Sequence, residues 1–232
     1  DLQCSLGRLA AITGTNGKTT TTALTGEILK AKYEETFVVG NIGDPYTSRV
    51  LEMTEDSVTV AEVSSFQLET IMDFRPNVSA ILNITPDHLN RHGTMENYTR
   101  IKECITLNQT EDDSVVLNYD DPVLREFGQD PDLKPKVTWF SSREKLADGF
   151  CMSGDNIVYC QKGRETILVN VRDMKLLGRH NYENVMAAAA IGFLMGVALA
   201  DIGRVAENFN PVEHRIEFVR ERTGVRYYND SK

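Results

Sequence analysis

The run Thr13-Gly14-Thr15-Asn16-Gly17-Lys18-Thr19-Thr20 constrains this chain more than any other. It follows the apolar stretch Leu9-Ala10-Ala11-Ile12 and leads into Thr19 to Lys32, which reads as a helix. Strand, glycine turn and helix in that order form a phosphate cradle. Glycines let backbone N–H groups close on an anion without a Cβ clash, and the helix N-terminus adds partial positive charge. Lys18 can reach outer phosphates, and Thr19 can ligate Mg²⁺. Gly14, Thr15, Asn16, Gly17 and Thr20 complete the loop. The spacing is short. The usual phosphate loop would need glycine at position 12, which is Ile12, and two residues separate Gly14 from Gly17.

A loop of this kind needs a parallel sheet behind it, and the chain supplies candidate strands. Phe37 to Val39, Ser57 to Val63, Val78 to Ile84, Ser114 to Leu117 and Val137 to Phe140 are short apolar or β-branched runs separated by helical stretches. That alternation indicates an α/β fold, a mostly parallel sheet with flanking helices. Asn118 to Asp121 with Pro122 reads as a turn. Residues 141–176 change to short alternating runs with polar turns, a small antiparallel β-meander appended to the sheet. Asn181 to Val197 reads as an Ala-rich buried helix and Asp201 to Asn208 as another. Glu217 to Arg222 and Val225 to Tyr228 flank Thr223-Gly224 as a hairpin.

Composition narrows the partners. Asp plus Glu is 34 against 25 for Lys plus Arg, a net charge of −9. This argues against nucleic acid or an anionic membrane surface. The apolar run Val185 to Ala200 carries Gly192 and Gly196 and falls short of the roughly 20 residues that span a bilayer. No signal peptide is evident. Cys4, Cys104, Cys151 and Cys160 show neither C-x-x-C nor zinc spacing and fit reduced thiols in a cytoplasmic protein. The chain starts without Met and stops just after an apolar strand, so a cut at both ends is expected.

Further candidates lie at strand ends. Glu62, in Ala61-Glu62-Val63-Ser64-Ser65-Phe66-Gln67, closes a buried strand at the edge where ligands gather in parallel sheets; it can hold Mg²⁺ or cap the next helix. His88, in Asn83-Ile84-Thr85-Pro86-Asp87-His88, is a metal or acid–base candidate, or a structural histidine. Thr94 is a plausible N-cap for a helix carrying Tyr98, Ile101 and Ile105 on one face. Lys102 borders that face, where snorkelling is the commonest behaviour. Asn181 and Asn184 open the Ala-rich helix, where Asn is usually a cap but can read an adenine edge. Arg215 can brace phosphates and Asp230 can take ribose hydroxyls.

Together these motifs resemble the Mur ligases, ATP-dependent amide ligases of peptidoglycan precursor synthesis. T-G-T-N-G-K-T-T is similar to that family's shortened loop. E-V-S-S-F-Q-L-E, Gly40-Asn41-Ile42-Gly43, H-N-Y-E-N, E-H-R and Y-N-D-S-K resemble its D-glutamate-adding branch over essentially the whole chain. The resemblance implies a central, phosphate-loop-NTPase-like ATP-binding domain over residues 1–228. Residues 229–232 would begin a hinge to an absent C-terminal domain, and an N-terminal UDP-binding domain would also be absent. It implies that Lys18 and the loop hold the β/γ-phosphates and that Thr19 and Glu62 hold one Mg²⁺. His88 with Lys102, carbamylated by CO₂, would hold a second, since a carbamate is an anionic ligand where an ammonium would be repelled. It places Asn41 near the substrate carboxylate or acyl phosphate, Asn181 and Asn184 at the adenine, Asp230 at the ribose and Arg215 at the phosphates. The substrates implied are ATP, UDP-N-acetylmuramoyl-L-alanine and D-glutamate, and a monomer is expected. A folylpolyglutamate synthetase-like ligase and a non-catalytic nucleotide-binding module are the rival readings.

Overall fold

The computed structural model describes residues 7–41, 43–212 and 217–229. The first part of the chain alternates strand and helix. β1 (Arg8–Thr13) leads to α1 (Lys18–Lys30), β2 (Thr36–Gly40), a short α2 (Tyr46–Arg49), β3 (Val58–Glu62), α3 (Ser65–Leu68) and β4 (Val78–Ile81). Then come α4 (Leu89–His92), α5 (Met95–Glu103), β5 (Ser114–Asn118), α6 (Pro122–Phe127) and β6 (Lys136–Ser141). After β7 (Gly149–Ser153), β8 (Asn156–Gln161) and β9 (Arg164–Asn170) the chain closes with α7 (Arg179–Leu194), α8 (Leu199–Asn208), β10 (Glu217–Arg222) and β11 (Val225–Asn229).

Among the described residues, nine strands form one sheet in the order β2-β3-β1-β4-β5-β6-β7-β8-β9. Pairing is parallel from β2 to β7 and antiparallel from β7 to β9. The α/β expectation and the antiparallel meander are both present, and the meander continues the main sheet through a parallel β6–β7 junction. The last two strands form a separate hairpin, whose turn residues Thr223 and Gly224 both have positive φ (50° and 78°). That geometry matches the twist of paired strands.

The sheet has two buried faces because its strands are apolar at consecutive positions. Ala10 and Ile12 of β1 face the layer of α1, α7 and α8 with Leu24, Ile28, Ile191 and Ile202. Leu9 and Ala11 face the other layer with Leu68, Tyr98, Ile101 and Leu124. Alternate side chains of a strand point to opposite faces, so a fully apolar strand is one covered on both sides. Among the described residues no helix is long and apolar enough to cross a membrane.

Several element ends shift by one to three residues from the sequence expectation, and two larger differences have a clear physical cause. Val78 to Ile84 reads as one strand, but the β4 ladder ends at Ile81. Beyond it the Leu82 N–H donates to Thr13 O at 3.0 Å, and the chain turns to hold the glycine loop, with Asn83 O accepting from Thr15 N. Pro122 opens α6 rather than marking only a turn. Asp121 Oδ1 accepts from the N–H groups of Val123 and Leu124 at 3.0 and 3.3 Å, and proline at the first helical position loses no hydrogen bond.

Candidate functional site

The ends of β1, β2, β3 and β4 lie side by side. Ile12 and Gly40 both stand opposite Glu62 in register, and Thr13 stands opposite Ile81. The loop Gly14–Gly17 therefore leaves the sheet at its carboxyl edge, between Glu62 on one side and the β4 exit on the other. Gly17 (φ 86°) holds the position before α1, and a Cβ there would run into Asn184 Oδ1. Both the backbone angle and the close approach of α7 demand glycine.

Asn83 pins the loop. Its Oδ1 accepts from Asn16 N at 2.8 Å, its Nδ2 donates to Asn16 O at 3.1 Å, and its backbone O accepts from Thr15 N at 3.0 Å. The Thr15 hydroxyl donates to Thr85 O (3.1 Å), accepts from Thr85 N (3.0 Å) and lies 3.1 Å from the Tyr98 hydroxyl. A hydroxyl carries one proton. With that proton on Thr85 O, Tyr98 is the donor to Thr15. Sequence reasoning did not single out Asn83 or Tyr98; the available signal was a polar amide directly at a strand exit.

Two lysines converge on the loop from opposite sides. Lys18 Nζ donates to Gly14 O and Thr15 O, both at 3.0 Å. Lys102 Nζ donates to Gly14 O at 2.9 Å and reaches Thr13 Oγ1 at 3.4 Å, with its ammonium 4.8 Å from the Tyr98 ring centroid. Lys102 is 1% exposed, so the snorkelling expectation is overturned: its stem runs inward beneath the loop. Burial is the main cause that lowers its pKa to about 7; Lys18 adds repulsion, and Asp87 partly opposes both.

Glu62 is 2% exposed, and its Oε1 accepts from Asn41 Nδ2 at 3.1 Å, while Asn41 N donates to Glu62 O at 2.9 Å. It does not cap α3. Ser64 does, in a reciprocal capping box with Gln67. Among the described residues no Lys, Arg or His pairs with Glu62. A buried carboxylate with no counter-cation is costly, and a divalent cation resolves that cost. No cluster of three or more His, Cys, Asp or Glu forms among the described residues. Mg²⁺ commonly takes one or two protein ligands and fills its shell with water and nucleotide phosphates. Glu62, with Thr19 in the first turn of α1, fits that pattern.

The remaining candidates fall in three groups. His88 sits just before α4 with φ 50°, its ring half-exposed, 3.5 Å from Asp87 Oδ2 and 5.0 Å between centroids from Phe66. It is not a core histidine. Asn181 and Asn184 are buried on α7 and are not N-caps, since Gly178 holds that position. Asn181 Nδ2 donates to Leu177 O at 2.8 Å, and Asn184 Nδ2 donates to Asn181 Oδ1 at 3.2 Å. Asn184 thus meets the loop at Gly17. Arg215 and Asp230 lie outside the described residues, as do Ile42 of the Gly40–Gly43 motif and residues 231–232.

The family model described as the Mur ligase middle domain matches residues 12–192. A UDP-N-acetylmuramoylalanine–D-glutamate ligase of Lachnoclostridium phytofermentans is 53% identical over 229 residues, 98% of this chain and 50% of that protein. The protein of the same name from Lachnospira eligens is 55% identical over 226 residues, 97% of this chain and 50% of its own. The chain therefore spans about half the length of the curated relatives it matches. Among solved structures, MurF from Acinetobacter baumannii superposes with a TM-score of 0.74 at 21% identity, covering 98% of this chain and 51% of that one. MurF from Thermotoga maritima in complex with ADP gives 0.70 at 21% identity, covering 97% and 53%. At that identity the likeness is one of fold.

Proposed function

The chain belongs to the Mur ligase family, and we propose that it is the ATP-binding module of a cytoplasmic ligase that adds D-glutamate to UDP-N-acetylmuramoyl-L-alanine. The relatives that carry this name at 53% and 55% identity support the substrate assignment. The observation that carries the reading is the meeting, at one sheet edge, of a pinned glycine loop, Lys18 and the buried carboxylate of Glu62, with which no Lys, Arg or His pairs among the described residues. The module is residues 1–228, with 229–232 leading toward a further domain that holds the incoming amino acid.

In the proposed reaction the substrate carboxylate attacks the γ-phosphate of ATP, giving an acyl phosphate and ADP; the amine of D-glutamate then displaces phosphate. Lys18 leaves the carbonyls of Gly14 and Thr15 for the outer phosphates and neutralises charge as it develops. The loop N–H groups and the α1 N-terminus receive the nucleotide, with Gly14, Thr15, Asn16, Gly17 and Thr20 shaping the cradle. Glu62 and Thr19 would hold Mg²⁺, which supplies electrostatic stabilisation of the transferring phosphoryl group. Asn41 orients Glu62 and presents its amide toward the acyl group. Asn181 and Asn184 border the loop on the adenine side, with Arg215 at the phosphates and Asp230 at the ribose.

Lys102 is assigned a carbamate that, with His88, serves a second Mg²⁺. A pKa of about 7 supports this, because the neutral amine is the species that attacks CO₂. The nitrogen–carbon bond forms, the nitrogen loses a proton to solvent, and an anionic oxygen donor results. Burial that disfavours an ammonium favours a form which a metal neutralises.

The test is release of ADP by the full-length protein. Sustained turnover is expected only when Mg²⁺, UDP-N-acetylmuramoyl-L-alanine and D-glutamate are all present, with the dipeptide product identified by mass. Equal turnover with a folate and L-glutamate, or none with the muramoyl substrate, would overturn the assignment. The 232-residue chain alone is expected to bind ATP without ligating, and D-glutamate ligation by it would refute that part.

A further inference from the structure

Ser65, Glu69 and His92 form a polar cluster beside the phosphate loop that the proposed chemistry does not use. Ser65 Oγ lies 3.0 Å from His92 Nε2. His92 Nδ1 lies 3.0 Å from Glu69 Oε1, a close contact rather than an aligned hydrogen bond. Arg91 Nη2 donates to the other oxygen, Glu69 Oε2, at 2.8 Å. The order serine, histidine, carboxylate is that of an acyl-transfer triad. Ser65 is 3% exposed, however, and closed to a carbonyl substrate, and the His92 side chain is 0% exposed. The cluster is built to hold, not to attack.

What it holds is the set of candidate ligands. Ser65 follows Glu62 by three residues, and its helix is fixed by the Ser64–Gln67 capping box. His92 follows His88 by four, and its backbone carbonyl accepts from Asn97 Nδ2 at 2.8 Å at the start of α5. Its ring stacks on Phe66 (5.5 Å, 24°), which also touches His88, and packs on Tyr98 at 5.3 Å. Tyr98 in turn reaches Thr15 through its hydroxyl and carries the Lys102 ammonium over its ring. One imidazole therefore contacts the three segments that bear Glu62, His88 and Lys102. Arg91 holds the Glu69 carboxyl below its usual range, so a carboxylate faces Nδ1. With the ring proton on Nδ1, Nε2 accepts the Ser65 hydroxyl.

We infer that His92 is a positioning residue which, through Ser65 and Glu69, fixes the β3 exit, α4 and α5 relative to one another so that Glu62 on one side and His88 with Lys102 on the other present their two metal positions to one nucleotide. The inference rests on the ATP-dependent reading above. Residues that orient metal ligands without touching the metal typically change its affinity about 10–100-fold when removed.

The test is a Mn²⁺ titration of the full-length protein with ADP, read by electron paramagnetic resonance, alongside steady-state ligation. His92→Phe keeps the stacking and removes both polar contacts. It is expected to weaken Mn²⁺ by roughly ten-fold or more and to lower kcat, with KM for D-glutamate unchanged and the melting curve still cooperative. His92→Gln, which returns one hydrogen-bonding group, is expected to recover part of the loss. The Ser65→Ala, His92→Phe double variant should be no worse than His92→Phe alone, because residues acting as a unit are non-additive. Wild-type Mn²⁺ affinity in His92→Phe, additive losses in the double variant, or no Mn²⁺–ADP binding by the wild type would each overturn the inference. Should His92→Phe fail to fold, Ser65→Ala decides, and wild-type Mn²⁺ affinity there is the overturning result. Wild-type Mn²⁺ binding without D-glutamate ligation would instead refute the proposed function and leave this inference standing.

Discussion

Replacing Lys102 by methionine should remove a pH dependence from the stability of the fold. A lysine at its ordinary 10.5 in the unfolded chain and about 7 in the folded one carries about 1.36 kcal/mol for each pH unit of that gap, so burying the ammonium costs about 5 kcal/mol in acid. The sign follows from proton counting. Between about pH 7 and 10.5 the unfolded chain binds the extra proton, so stability rises with pH in that window. It is complete above 10.5 and lost as pH falls through 7. Integrated from pH 6 to pH 9, this one group makes the wild type about 2–3 kcal/mol more stable at the higher pH. Methionine keeps the length and apolar stem. It also removes a donor from Gly14 O and Thr13 Oγ1, at about 1 kcal/mol for each bond lost, a cost that does not vary with pH. Urea unfolding of both proteins at pH 6, 7.5 and 9 in metal-free, CO₂-free buffer measures the difference in slope. If the wild-type and Lys102→Met stabilities run parallel across this range, the buried ammonium reasoning is wrong.

Three other perturbations test separate parts of the structure. Gly17→Ala forces a side chain onto φ 86° and into Asn184; ATP binding measured by calorimetry should be lost, and stability should fall by at least about 1 kcal/mol. Asp121→Ala removes the α6 cap and the acceptor for Ile84 N (2.8 Å); thermal unfolding should show a loss of about 1–2 kcal/mol. Burial, with the neighbouring Cys151 thiol 3.5 Å away, pushes Cys160 up to about 12; native protein at pH 8 should resist iodoacetamide at this residue by mass spectrometry, whereas protein in urea should label.

The parts of this molecule legible in the sequence are those with local codes. The loop announced itself because glycines, a lysine and a hydroxyl have to fall at fixed positions between a strand and a helix. The parallel sheet showed because strands covered on both faces are apolar or β-branched at consecutive positions, as Val58 to Ala61 is, and every residue of Val58–Glu62 is buried. Lys102 was ambiguous for a physical reason. Its helical angle from Tyr98 put it at the border of the apolar face, and only the path of α5 beneath the loop decides between solvent and interior. Asn83 was silent because its partner, Asn16, lies 67 residues away. His92 was overshadowed by His88 four residues earlier, and only the packing separates the half-exposed ring from the buried one. Pro122 read only as part of a turn, whereas the neighbouring Asp121 cap makes it the first residue of a helix.

The strands β7–β9 looked at first like an ornament far from the chemistry. They abut the far end of α7, where Phe193 packs against Phe150 at 6.1 Å and Tyr159 at 4.6 Å. The near end of α7 presses Asn184 against Gly17. At 16 residues the helix is a strut about 24 Å long. Its buried run from Val185 to Ile191 gives it no room to roll. One rigid helix joins the aromatic seat at Phe193 to Asn184 at the glycine loop. The sheet extension is thus the foundation of the loop's rear wall, and extension and loop meet through a single helix.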